Sequence, residues 1–120
     1  MIRKICRMFA MASVGMMIFG AACYGQEVEA CKVLVVMGYH EELRLSQELK
    51  EGIEEVMTEQ GCDVTYHYLD LLRHPERADV EAQKAVELYQ TLQPDGVFAA
   101  NDDTQTKFVV PFLKDQTTTP

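Results

Sequence analysis

The chain has 120 residues, which leaves room for one domain at most. Its 19 Asp and Glu against 11 Lys and Arg give a formal charge of −8, and no basic run follows Arg7. A nucleic-acid partner is therefore not expected, because phosphate binding draws on clustered Lys and Arg.

Residues 1–22 read as a secretory signal peptide. Arg3, Lys4 and Arg7 supply the positive start, and Met8 to Ala22 (MFAMASVGMMIFGAA) is an uncharged stretch shorter and richer in small residues than a membrane span. Loss of this leader removes three bases and no acid, so the formal charge moves from −8 to −11. The sequence Gly20-Ala21-Ala22-Cys23 resembles the lipobox of bacterial lipoproteins, which makes Cys23 the candidate lipidation site. Gly20 stands where a lipobox carries a large aliphatic residue, so ordinary cleavage after Ala22 or slightly downstream is the alternative. Residues 23–31 form a short linker, and residues 32–120 are read as an incomplete α/β lobe. The expected location is outside the cytoplasm, in the periplasm or on the outer face of the cytoplasmic membrane.

Lys32 to Met37 is an apolar, β-branched run ending at Gly38, as expected of a strand buried on both faces. From about Glu42 to Gln60, Leu45, Leu49, Ile53, Val56 and Met57 recur three and four apart, which predicts an amphipathic helix stopped at Gly61. Asp63 to Leu69 is rich in β-branched and aromatic residues and reads as the second strand. Asp70 to Arg77 breaks the pattern. Ala78 to Leu92 predicts a second helix with Val80, Ala82, Ala85, Val86, Tyr89 and Leu92 inward, ended by Pro94-Asp95. Gly96 to Ala100 is a short third strand, and the turn Asn101-Asp102-Asp103 leads into a helix over 104–113 that Pro111 limits or kinks.

The order βαβαβα predicts a three-layer α/β fold with a parallel sheet, part of a doubly wound, flavodoxin-like arrangement. Ligands of such sheets bind beyond the carboxyl ends of the strands. Three polar segments converge there: Gly38-Tyr39-His40-Glu41-Glu42, Asp70 to Arg73, and Asn101-Asp102-Asp103. Gly38 allows close backbone approach, Tyr39 offers a ring to stack on, and the carboxylates and Asn101 offer hydrogen bonds. The competing explanation is that loops after buried strands are polar because they are wet, with Asp102 or Asp103 capping a helix.

His40, His67 and His74 lie on separate elements without metal-ligand spacing, so no metal site is expected, and His67 reads as a partnered sheet residue. No GxSxG, P-loop or GxGxxG occurs, so neither a catalytic residue nor a cofactor is assigned. Cys31 and Cys62 precede the first two strands at the same end of the sheet. In the flavodoxin-like order those strands are neighbours about 4.8 Å apart, within the reach of a disulfide. Export to an oxidising compartment makes a Cys31–Cys62 bridge the expectation, with two buried thiols as the alternative.

The segments KVLVVMGYHEE, LKEGIEEV, YLDLLRHPE and PDGVFAANDDTQTKFVVPFL, over about residues 32–113, resemble the N-terminal part of the ABC-transporter substrate-binding protein family with a type I periplasmic binding fold. The resemblance implies a non-enzymatic, two-lobed receptor. It closes on a small solute, often an amino acid or similar nutrient, and delivers it to a membrane permease. It implies that Gly38, Tyr39 and His40 line one side of the cleft and Asn101, Asp102 and Asp103 another, and that this chain holds part of the first lobe. Related domains occur as extracytoplasmic sensors of signalling proteins, the second reading. A receiver-like phosphoacceptor domain is a third, opposed by the leader and by Glu41 and Glu42 being set back from the first strand.

Overall fold

A computed structural model of the chain describes residues 29–120. The leader, Cys23 and most of the linker lie outside the described residues. The elements in chain order are strand β1 (Cys31–Met37), helix α1 (Arg44–Glu59), strand β2 (Cys62–Tyr68), a 3₁₀ turn (Pro75–Arg77), helix α2 (Ala78–Leu92), strand β3 (Gly96–Ala100) and helix α3 (Asp102–Thr104), which runs on as a π-helical stretch (Gln105–Leu113). The three strands form one parallel sheet in the order β2-β1-β3. The fold is α/β, as the alternation of patterns predicts.

Alternation along β1 separates two cores. Leu34 and Val36 join Leu69, Ala85, Val86, Phe108 and Leu113 beneath α2 and the π-helical stretch. Val33, Val35 and Met37 pack on the other face with Ile53 of α1 and Ala100 of β3. This two-sided burial is why the sequence of β1 is continuously apolar rather than alternating.

The helix ends have local causes. Gly61, at φ 70°, takes the left-handed conformation that closes α1, and its N–H donates to the Thr58 carbonyl. Gln93 takes the left-handed conformation after α2 (φ 49°, ψ 61°), and Pro94 follows. Pro111 lies inside the last helix, where its ring and missing N–H disfavour the ordinary i→i−4 ladder. The stretch instead widens to π geometry, with the Lys114 N–H donating to the Val109 carbonyl five residues back.

Three expected inward residues face solvent: Leu45 and Val56 on α1, and Val80 on α2. The buried stripe of α1 runs instead through Ser46 and Ile53, flanked by Leu49 and Met57. On α2 the inward place beside Ala82 is taken by Glu81, whose carboxylate is held by Arg77 and Lys84. Apolarity alone overlooks a buried acid with two cationic partners.

Cys31 and Cys62 are register partners at the start of β1 and β2, with Cα atoms 4.5 Å apart, and they form a disulfide. It ties the amino end of the sheet, opposite the end where the polar loops meet.

Candidate functional site

Gly38 and Asn101 follow β1 and β3 and meet each other. The Gly38 N–H donates to Asn101 Oδ1 at 3.3 Å. A Cβ on residue 38 would lie 3.2 Å from Thr104 Oγ1 and 3.4 Å from the Asn101 side chain, so glycine is what permits this approach. Asn101 adopts φ 77° and ψ 152°, a combination that glycine enters far more easily than asparagine. Thr104 is completely buried and its hydroxyl has no hydrogen-bond partner among the described residues. The gap between β1 and β3 is where the strand order reverses, and here it is filled by these side chains.

The open space is on the other side of β1. A cavity of about 420 Å³ lies at the carboxyl ends of β1 and β2, a volume in the range that accommodates a small organic molecule. The loop after β1 contributes His40, Glu41 and Glu42; the end of β2 and its turn contribute Tyr68, Asp70, Arg73 and His74; and α2 with its preceding turn contributes Arg77, Glu81 and Lys84. Of the expected segments, His40, Glu41 and Glu42 after β1 and Asp70 and Arg73 after β2 line this cavity, and the turn Asn101-Asp102-Asp103 does not. Gly38 is buried beneath the loop, Tyr39 is half-buried beside it, and Asp102 and Asp103 are exposed in the first turn of α3.

The cavity walls are held by charge-assisted bonds. Asp70 sits at φ 55° and accepts from Arg73 Nε at 2.9 Å and Nη2 at 2.8 Å. The Arg73 guanidinium holds the Asp70 carboxyl below its ordinary range, and Asp70 in turn raises Arg73. Arg73 Nη1 reaches Glu42 Oε2 at 3.3 Å, and His40 Nδ1 lies 3.0 Å from the same oxygen. Glu42 is lowered first by a bond from its own backbone N–H, then by His40 and Arg73. Glu41 accepts from Lys50 at 2.9 Å, which raises the Lys50 ammonium.

On the α2 wall, Glu81 Oε1 accepts from Arg77 at 2.6 Å and from Lys84 at 2.9 Å. The Lys84 bond keeps Glu81 below its usual range although burial pushes it up. His67, on β2, donates Nε2–H to the Glu81 carbonyl at 3.0 Å, so it is the partnered sheet residue its position predicts. Because one oxygen is shared by two cations, Arg77 and Lys84 retain N–H groups for a further acceptor. The opposite wall carries three carboxylates, Glu41, Glu42 and Asp70, beside Arg73, His40 and His74. The cavity thus presents donors from the α2 wall and a mixture of acidic and basic groups from the loops after β1 and β2.

Sequence reasoning finds the two loop segments of this cavity and misses the α2 wall. Its signal is present: Arg77, Glu81 and Lys84 are spaced four and three apart, which places them on one helix face. The end-on approach of α2 to the carboxyl edge is a tertiary property that this spacing does not encode.

Comparison of the chain with protein-family models, with curated proteins and with solved structures finds no match.

Proposed function

We propose that this chain is an extracytoplasmic solute-binding component of an ABC-type transporter, without catalysis, which takes a small molecule at the carboxyl ends of its parallel strands and presents it to a membrane permease. The observation that carries the reading is the charged cavity at that edge, formed by the loops after β1 and β2 and walled by α2. Two non-glycine residues in left-handed or more extended positive-φ conformations, Asp70 and Asn101, stand at the ends of β2 and β3. Such backbone is retained where the surrounding structure fixes it, and binding edges are a common setting. The leader pattern and the disulfide fit a protein working in an oxidising compartment. The membrane attachment proposed for it is a lipid on Cys23.

The test is a solute screen by thermal shift on the full chain, since a ligand that binds only the folded state raises its melting temperature. For any hit, Arg73→Met and Lys84→Met are expected to remove the shift. Asp102→Asn with Asp103→Asn separates the two halves of the edge: retention of binding places the solute in the cavity, and its loss places it at the turn after β3. A hit unaffected by all of these variants, or no shift with any solute, would refute the reading. Mass spectrometry of the processed N-terminus tests the export and lipid attachment independently.

A further inference from the structure

We infer that two copies of this chain associate by antiparallel pairing of their β2 edges, making one six-stranded sheet across a two-fold axis at Thr65. The strand β2 is the outer strand on one side of the sheet. The Leu69 N–H donates to the Met37 carbonyl at 2.8 Å, which fixes the parity of the ladder. Asp63, Thr65 and His67 therefore direct their backbone groups toward β1, and Val64, Tyr66 and Tyr68 direct theirs to the open side. Among the described residues no backbone bond from another segment reaches those outward groups.

Open edges are templates for strand addition, and proteins usually blunt them with proline, lysine, bulges or a covering segment. The sequence of β2, CDVTYHY, has neither proline nor lysine, and its pairing with β1 runs without a bulge through seven consecutive residues. It is long for an edge and rich in residues that favour strand pairing.

The sequence is also complementary to itself. With the two-fold axis at Thr65, Val64 of one copy faces Tyr66 of the other, and both belong to the outward set, so they make the hydrogen-bonded pairs. Thr65 faces Thr65, and Asp63 faces His67, in the closer non-hydrogen-bonded pairs. This places aromatic against β-branched side chains and a carboxylate against an imidazole, with no like charges opposed. Shifting the axis to Tyr66 preserves the backbone parity but sets His67 against Thr65 and leaves Asp63 opposite Leu69, losing the carboxylate–imidazole pair. Because opposed side chains share a face, α1 of both copies lies on one side of the joined sheet and α2 on the other. The interface is isologous and closed, as a two-fold dimer requires.

The arrangement is tested with the full chain expressed with its own leader and purified. Sedimentation equilibrium is expected to give a dimer, and Asp63→Lys to weaken it about tenfold, because symmetry counts each altered pair twice. Thr65→Cys places two thiols directly opposite across the axis, at a separation a disulfide accepts. Under a thiol redox buffer it is expected to yield a covalent dimer well above the parent chain, while Asp63→Cys, displaced from the axis, stays at the parent level. A monomer at all concentrations would overturn the inference. So would equal cross-linking of the two cysteine variants, or preferential cross-linking of Tyr66→Cys. Solute binding is read separately by thermal shift, so failure of the dimer and failure of the binding function are distinguishable.

Discussion

The Asp70–Arg73 pair shows how one residue's backbone and charge are set together. Asp70 leaves β2 in a left-handed conformation, which aspartate tolerates better than most side chains. That turn lets Arg73, three residues on, close a two-nitrogen bond to its carboxylate. The folded carboxyl therefore titrates below its unfolded counterpart. A depressed carboxyl stabilises the fold fully above the ordinary aspartate value near 3.9 and loses that contribution as pH falls through the lower folded value. Arg73→Met is expected to return Asp70 toward the ordinary range and to shift the acid end of the unfolding curve upward in pH. NMR titration of the side-chain carboxyl carbon measures the first effect directly. An unchanged Asp70 titration in this variant would mean that another group sets it. The turn breaking the pattern after Leu69 is visible in the sequence. The ion pair is not, because Asp and Arg three residues apart meet only after the backbone has turned.

Among the elements, β1 was the most legible and the last helix the least. Six consecutive residues from Lys32 to Met37, mostly apolar and β-branched, specify a central strand, and the structure adds Cys31 to its start. Pro111 marks the last helix as irregular but does not say how the backbone accommodates it; the answer is the wider i→i−5 winding. The disulfide was predictable because strand order alone brings two cysteines at equivalent strand starts to neighbouring positions. Its effect on stability follows from the same connectivity. The bridge closes a segment with a sequence separation of 31 residues that contains β1, α1 and the turn into β2. In the chain-entropy account, restricting such a loop in the unfolded state contributes about 3–4 kcal/mol. Cys31→Ser with Cys62→Ser is expected to lower the unfolding free energy by about that amount in urea, within the usual spread of about 2–4 kcal/mol. The cross-link lies at the amino end of the strands, so the cavity at the carboxyl end should keep its solute response wherever the variant is folded. Loss of binding in a folded double variant would show that the two ends of the sheet are coupled.

At the scale of the whole molecule, the two faces of the sheet are covered unequally. On one face α2 and the π-helical stretch pack over Leu34 and Val36 of β1, with Phe108 completely buried and Val97 of β3 packed against them. On the other face α1 lies over β1 and β2, and Phe98 of β3 is 43% exposed although its register partner Val35 is completely buried. The two phenylalanines therefore report the two environments. Phe108→Ala removes a ring with no exposed surface and leaves a cavity, at an expected cost of about 3–5 kcal/mol. Phe98→Thr replaces a half-wet ring with a good strand former, and its cost should be about 1 kcal/mol or less, because roughly half of the transfer term was never gained. The same substitution should reduce binding of a hydrophobic dye such as ANS, since Phe98 is among the larger apolar side chains left in contact with water. Urea unfolding of the two variants, compared with the parent, decides the point. A comparable loss at both positions would mean that the face beside β3 is covered in solution.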